Sequence, residues 1–97
     1  GAQPTMVEIS SQIRHQWGQR GFSCAIWVDP PGQLWEDFVH ASDELVMLIE
    51  GEIELTFCGN TVRPKVGDEV LIPAGERHTV RNIGATMNRW YYGYRQG

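Results

Sequence analysis

Polar and apolar residues alternate along much of the second half of the chain with the period of two that is typical of β-strands. The clearest case is Glu-Ile-Glu-Leu-Thr-Phe at residues 52–57, where every second side chain is apolar and faces a core if the segment is extended. Glycines divide this half of the chain at intervals of eight or nine residues, at Gly51, Gly59, Gly67, Gly75, Gly84 and Gly93. Such intervals are typical of turns between the short strands of sandwiches and barrels.

The pattern predicts eight strands. They are placed at residues 22–28, 34–40, 44–50, 52–57, 61–63, 69–72, 77–82 and 87–94. Asp29-Pro30-Pro31-Gly32 is a strong turn signal after the first strand, and Gly59-Asn60 supplies positive-φ residues for a tight hairpin. So many strands in one short chain must close on themselves or stack as two sheets to protect their edges. An all-β barrel or jelly roll is therefore predicted over residues 22–97.

Residues 1–21 have a different pattern, because apolar residues recur there only loosely at helical spacing. A short helix or an extra strand is predicted. We expect this N-terminal segment to pack on the barrel or on a dimer partner.

Composition narrows the class of protein. The chain has 97 residues, of which 41% are hydrophobic and 21% charged, enough for the core of one globular domain. A net charge of −4 disfavours nucleic acid as a partner, because that partner attracts basic surfaces. The longest apolar run, residues 45–49, is far too short to cross a membrane, and no apolar leader is visible, so a cytoplasmic location is expected.

The two cysteines, Cys24 and Cys58, form no CxxC pair and have no zinc-ribbon spacing. They are predicted to be small buried hydrophobic residues. A single disulfide between them is the alternative.

Three candidate metal ligands lie at the ends of predicted strands. His40 ends one strand, Glu44 opens the next, and His78 lies at the start of a later one. Two imidazoles and one carboxylate are the ligand set of non-haem Fe(II) and related sites that leave coordination positions open. These residues therefore suggest a metal site inside the barrel.

The chain also resembles a known family, the cupins, through both of that family's motifs. The first, G-x5-H-x-H-x3-E-x6-G, aligns without gaps on Gly32, Phe38, His40, Glu44 and Gly51, and the second, G-x5-P-x-G-x2-H-x3-N, on Gly67, Pro73, Gly75, His78 and Asn82. The resemblance implies a double-stranded β-barrel, often a homodimer, with a divalent metal ion such as Fe, Mn, Ni or Zn held by the motif histidines and glutamate.

One position departs from the pattern. Phe38 stands where the family has its first metal-binding histidine, so His40, Glu44 and His78 remain as the predicted ligands. Three protein ligands plus water are the usual arrangement of catalytic zinc. Strand periodicity places Glu36 on the same face as Phe38 and His40, so Glu36 is the predicted catalytic acid or base, with a replacement ligand or a solvent-exposed rim residue as alternatives.

The remaining pocket residues are predicted from their type and position. Phe38 and Met47 are expected to line a pocket for an apolar or aromatic small molecule, and Asn82 to face the same interior as His78. Trp35 or Trp90 is expected on the outer surface at a homodimer interface, because large aromatic residues favour protein contacts.

Two functions fit these residues. In the first, the protein binds a divalent metal and a small molecule and acts as a metal-dependent enzyme of the oxygenase or isomerase-like kind. In the second, Phe38 marks a degenerate, metal-free site, and the barrel binds or senses a small molecule without turning it over. Fold alone does not decide between an enzyme and a binding protein.

Overall fold

The computed structural model describes residues 6–96, which form one helix followed by eight strands. The elements are α1 (Met6–Gln19), β1 (Ala25–Asp29), β2 (Leu34–Phe38), β3 (Glu44–Glu50), β4 (Glu54–Phe57), β5 (Asn60–Val62), β6 (Glu69–Ile72), β7 (His78–Arg81) and β8 (Asn88–Tyr94). The predicted all-β fold is confirmed, and the weak N-terminal signal corresponds to a helix. Residues 1–5 of the predicted N-terminal segment lie outside the described residues. Within the described part, no helix has the length and apolarity needed to cross a membrane.

The strands form two antiparallel four-stranded sheets that face each other. One sheet has the strand order β1-β8-β3-β6, and the other has the order β2-β7-β4-β5. Alternate side chains from both sheets meet in the space between them, as expected for a period of two. The buried members of this core are Val46, Leu48, Ile53, Leu55, Ile72, Val80 and Trp90.

Helix α1 covers the outer face of the first sheet. The side chain of Trp17 is fully buried there, against Phe22, Leu45 and Tyr91. The Trp17 and Tyr91 rings meet edge to face, with centroids 6.3 Å apart. The hydroxyl of Tyr91 also forms a 2.8 Å hydrogen bond with the Ser10 hydroxyl, so the helix is held by both apolar and polar contacts.

Gly93 makes the close approach of the helix possible. The glycine spacing predicts a turn at this residue, but it lies inside β8 and is buried, so that prediction is wrong. A Cβ atom at Gly93 would overlap the main-chain oxygen of Ser23 and lie 3.0 Å from a ring carbon of Trp17. Only glycine leaves room for these two neighbours against the strand.

The β4–β5 hairpin turns one residue earlier than predicted. Phe57 pairs with Asn60, so the two-residue turn is Cys58–Gly59, with φ angles of 53° and 74°. Two positive-φ residues are typical of the type I′ turn that connects two-residue hairpins. Both cysteines are free; Cys24 is half-buried, but Cys58 is exposed at this turn, so the prediction of a buried Cys58 is wrong.

Candidate metal site and pocket

Three side chains with metal-ligating atoms meet at one end of the space between the sheets. His40 follows β2, Glu44 begins β3 and His78 begins β7. Each residue offers one ligand atom, and these atoms all lie within 4.8 Å of one another. Strand ends from both sheets thus bring together the three residues that the sequence predicts as ligands.

Glu44 lies at the centre of this group. Its Oε1 atom is 3.3 Å from Nε2 of His78 and 3.8 Å from Nε2 of His40. This buried oxygen has no hydrogen bond of good geometry among the described residues, although it lies within ion-pair distance of both imidazoles, so a further positive charge beside it would stabilise it. Ligands about 2.0–2.2 Å from a tetrahedral zinc ion stand roughly 3.3–3.6 Å apart. The Glu44–His78 distance lies in this range and the other distances in the group are longer, so the donor types and the buried oxygen fit a divalent metal better than the spacing does.

His78 is oriented by its other ring nitrogen. Nδ1 lies 3.2 Å from the main-chain oxygen of Glu76. Because that oxygen can only accept a hydrogen bond, Nδ1 is the donor. The other ring nitrogen, Nε2, faces Glu44. A second-shell contact of this kind is usual for histidines that bind metals. Contact with the Glu44 carboxylate raises the pKa of His78, and burial opposes this by disfavouring the imidazolium.

His40 lies between two aromatic rings at the edge of the group. The Phe38 ring stacks on it with an interplanar angle of 15°, and the Tyr94 hydroxyl lies 3.3 Å from Nε2 of His40. Burial, reinforced by the negative charge of Glu44, raises the pKa of Tyr94 to about 12. Tyr94 therefore keeps its proton at neutral pH and acts as a neutral hydrogen-bonding group.

The three ligand positions open into a pocket between the sheets with a volume of about 260 Å³, close to the lower end of small-molecule sites. Its surface is mainly aromatic. The lining residues are Trp27, Trp35, Phe38, His40, Glu44, His78, Val80, Trp90, Tyr92 and Tyr94. Trp35 and Trp90 therefore face the interior, and their predicted placement on an outer dimer surface is wrong.

A buried aspartate that the sequence predicts only as part of a turn joins the two sheets beside this pocket. Asp29, at the end of β1, is 2% exposed, and its carboxylate accepts a 2.8 Å hydrogen bond from the indole N–H of Trp27. The indole N–H of Trp35, on the opposite sheet, donates to both carboxylate oxygens at 3.1 Å. No local sequence signal points to this contact, because it depends on how the sheets face each other.

Glu36 lies outside the pocket. It is exposed and does not line the cavity, although strand periodicity predicts that it shares a face with His40. The cause is a β-bulge, since two residues of β2 between Trp35 and Phe38 oppose a single residue of β7. Asp37 adopts a φ of 55° there. The extra residue brings Trp35 and Phe38 to the same face, so the predicted placement of Glu36 as a catalytic group in the barrel is wrong.

Met47 also lies away from the pocket. It is half-buried on the outer face of β3 and packs with Leu45 against the cluster that holds helix α1. Glu44 and Val46, at the alternate positions, face the space between the sheets. The strand period thus separates Met47 from the ligand group, and its predicted place in the pocket is wrong.

Asn82 is buried, and its side chain forms hydrogen bonds with the main chain of two loops. Its Nδ2 donates hydrogen bonds of 3.0–3.2 Å to the main-chain oxygens of Asp29, Pro30 and Thr86, and its Oδ1 accepts one from the N–H of Gly84. It does not line the cavity. β7 ends before residue 82, so Asn82 lies beyond the strand that lines the cavity, and of the predicted pocket residues only Phe38 lies in the pocket.

Comparison with known proteins identifies the family. A family model described as a cupin domain matches residues 25–93, which is most of the chain. This protein is a cupin. The match includes every strand from β1 to β7 and most of β8, and the predicted cupin fold is therefore confirmed.

Solved cupin structures resemble this cupin over most of its length. The cupin domain of Cnp3 from Schizosaccharomyces pombe is 23% identical, with a TM-score of 0.72, over 79% of this chain and 57% of that one. The Cupin 2 conserved barrel domain protein from Salinispora arenicola is 26% identical, with a TM-score of 0.69, over 79% of this chain and 65% of that one. The Cupin_2 domain of an XRE family transcriptional regulator from Enterobacter cloacae is 21% identical, with a TM-score of 0.71, over 84% of this chain and 88% of that one.

The first two of these structures are longer than this cupin, which spans less than two thirds of each. A search of curated proteins gave no significant match. The comparisons therefore support the cupin barrel but do not identify a ligand. The ligand has to be inferred from the residues of this chain's own pocket.

Proposed function

We propose that this cupin binds a divalent metal ion, Fe, Mn, Ni or Zn, through His40, Glu44 and His78 and a small molecule in the adjoining aromatic pocket. The convergence of three ligand atoms within 4.8 Å of one another, at the polar end of a mostly apolar cavity, is the observation that carries the proposal. A metal held by two imidazoles and one carboxylate keeps free coordination positions and supplies Lewis-acid chemistry to an oxygen of a bound molecule.

The other groups in the pocket favour binding over acid–base catalysis. With Glu36 outside, the titratable residues that line the described pocket are the three ligands and two tyrosines, Tyr92 and Tyr94. A phenol with a pKa of about 12 holds its proton and is suited to donate a hydrogen bond rather than to act as a base near neutral pH. An oxygenase or isomerase-like activity stays a prediction that no described side chain supports by itself.

A second candidate is a metal-free pocket that binds or senses a small molecule without catalysis. It is favoured by Phe38, whose ring lies 6.1 Å from the His40 ring and 6.4 Å from the His78 ring, at the position of a missing ligand. In that case Tyr94 would complete the hydrogen bonding of His40.

Elemental analysis separates the two candidates. The protein is purified without chelator, and a second sample is stripped and reconstituted with Fe(II), Mn(II), Ni(II) or Zn(II). We expect close to one ion per chain in the wild type and its loss in His78→Ala. His15→Ala removes an exposed histidine from α1 and is the matched control, which should retain the metal. A wild type that stays empty after reconstitution would support the metal-free candidate.

Three further expectations stay predictions. These are a homodimer, a cytoplasmic location and the absence of nucleic acid among the partners. The residues first expected at a dimer interface lie inside the barrel, so an interface would have to use other exposed apolar residues, such as Ile26 and Val28 on β1. Light scattering of the purified protein would determine whether it is a dimer.

A further inference from the structure

Four of the aromatic side chains that line the pocket contact one another, and we call them the aromatic cage: Trp27, Trp35, Trp90 and Tyr92. The rings contact each other in series. Trp27 lies 6.0 Å from Trp35 and 6.1 Å from Tyr92, and Tyr92 lies 5.7 Å from Trp90. Neighbouring planes are inclined by 72°, 82° and 60°. Each contact is edge to face, so the edge of one ring lies against the face of the next, and all four rings line the pocket.

A buried acidic residue lies beside this cage. Asp29 is 2% exposed and accepts hydrogen bonds from the indole N–H groups of Trp27 and Trp35 without donating any through its side chain. Among residues 6–96, no cationic side chain forms an ion pair with Asp29. No lysine or arginine lines the described pocket either. The carboxylate thus lies at the N–H edges of two cage rings.

These two features select for one kind of ligand group. The faces of aromatic rings carry negative electrostatic potential and attract cations that lie against them. A carboxylate that accepts hydrogen bonds from two indoles increases that potential. Small cations such as Na⁺ lose too much hydration in an apolar site, whereas an alkylated ammonium group has an apolar surface and a diffuse positive charge. Anions would be repelled, and nothing in the cage neutralises them.

The cage adjoins the candidate metal ligands. The Trp35 ring lies 5.9 Å from the Phe38 ring and the Tyr92 ring lies 6.0 Å from the Tyr94 ring. Phe38 and Tyr94 in turn pack against His40. A ligand in this pocket can therefore place a cation against the cage rings and an oxygen group toward Glu44.

We propose that the aromatic cage binds the quaternary or tertiary ammonium group of a small organic cation. This inference rests on the proposed function only in that both use the same pocket, since the cage itself needs no metal. It names the chemical class of small molecule that the aromatic cage would bind. The three candidate metal ligands do not determine that class.

Calorimetric titration with a pair of isosteric probes tests the proposal. Choline carries a trimethylammonium group, and 3,3-dimethylbutan-1-ol has the same shape with carbon in place of the charged nitrogen. We expect choline to bind at least about tenfold more tightly, because cation–π attraction strengthens when the cation is desolvated. Equal affinity for both probes, tighter binding of the alcohol, or no binding of choline at millimolar concentration would overturn the proposal.

Two variants assign the effect to the cage. Trp27→Leu keeps an apolar side chain on a partly exposed edge strand, and it should weaken choline binding about tenfold while the affinity for the alcohol changes less than threefold. Asp29→Asn should reduce the preference for choline in the same way. Asp37→Asn is the matched control, since Asp37 is exposed at the bulge and does not line the pocket. Unchanged choline binding in both cage variants would overturn the assignment.

The same preparations keep the two proposals apart. Each titration is done on metal-stripped protein and repeated after reconstitution, with the metal content measured in parallel. Choline binding to protein that never takes up metal would support the cage and contradict the metal site. Stoichiometric metal without any choline binding would support the metal site and contradict the cage.

Discussion

The main-chain oxygen of His40 accepts a hydrogen bond of 2.8 Å from the main-chain N–H of Gly75. This bond joins the segment after β2 to the turn before β7, two stretches that are distant in sequence and carry the two candidate metal-binding histidines. Asp43 adds a second link, because its carboxylate accepts a 2.8 Å hydrogen bond from the N–H of Ala74. The positions of His40 and His78 are therefore related through the main chain as well as through strand pairing.

The Asp43 link predicts a specific acid dependence. The hydrogen bond from the N–H of Ala74, together with the ion pair to Arg95, holds the pKa of Asp43 below its ordinary value. A lowered pKa means that the carboxylate stabilises the fold fully above its ordinary pKa and loses this effect as the pH falls through the lowered value. Asp43→Asn should therefore reduce the Tm near neutral pH, and the difference from the wild type should shrink in acid.

Thermal melts of wild type and Asp43→Asn between about pH 7 and pH 3 test this prediction. The exposed Asp37→Asn variant is the control and should follow the wild type. A difference in Tm that is constant across the range would contradict the assignment to Asp43.

His78 should have the opposite pH dependence in metal-free protein. Its raised pKa means that the imidazolium stabilises the fold fully below the ordinary value of 6.5 and that this contribution is lost as the pH rises through the raised pKa. In chelator, the stability difference between wild type and His78→Gln should thus decrease with increasing pH. His15→Gln provides the matched control.

Metal affinity at the same site should increase with pH, whereas the stability contribution of the His78 imidazolium decreases. Because a metal ion must displace the proton on Nε2 of His78, affinity for Zn(II) should increase as the pH rises through the raised pKa of His78. Competition with a chelator of known affinity measures this at several pH values. Affinity that does not vary between about pH 6 and pH 8 would show that His78 does not ligate the metal.

Restoring the missing histidine should strengthen the site. Phe38 pairs across the strands with His78, and its ring packs against both candidate histidine ligands. We expect Phe38→His to bind Zn(II) at least about tenfold more tightly, since a direct ligand should contribute no less than an outer-shell partner, whose loss costs roughly 10–100-fold. Phe57→His is the control, because Phe57 pairs with His78 from the other neighbouring strand but does not line the pocket. Equal gains in both variants would contradict a fourth ligand position at residue 38.

A single methyl group at Gly93 should disrupt the packing of helix α1. Its Cβ would overlap the main-chain oxygen of Ser23, so Gly93→Ala should lower the free energy of unfolding by roughly 1–3 kcal/mol. Gly18→Ala is the matched control, since Gly18 is exposed in α1 and nothing lies within 4 Å of the added Cβ. That change should raise helix stability by up to about 1 kcal/mol. Urea unfolding distinguishes the two, and equal effects would refute the packing argument.

The strands and the ligand group were predictable from local pattern. Alternation and glycine spacing identify β3 and β4 closely because these strands are half-buried and regular, so each residue's face follows from its position. The motif spacing likewise brings His40, Glu44 and His78 to strand ends that meet. The strand prediction depends only on local periodicity, whereas the meeting of His78 with the other two ligands is what the resemblance to the cupin motifs implies.

The structure differs from the prediction where that regularity fails. The strand period predicts Glu36 inside the barrel, but the bulge at Asp37 leaves no signal in an alternating sequence, and one extra residue reverses the face of every later position. The glycine spacing predicts a turn at Gly93, because a glycine required by a close neighbour looks the same in the sequence as one that adopts a positive φ. The contact of Asp29 with Trp35 could not be foreseen, since it joins side chains from opposite sheets.

That last contact also limits how the barrel can move. Sliding of the two sheets at the Asp29 end would separate the carboxylate from the Trp35 indole and leave buried polar groups unpaired, at a cost of about 1–3 kcal/mol for each group. The Asp29 contact therefore fixes the spacing of the two sheets where Trp27 and Trp35 meet, and with it the width of the pocket between these two rings.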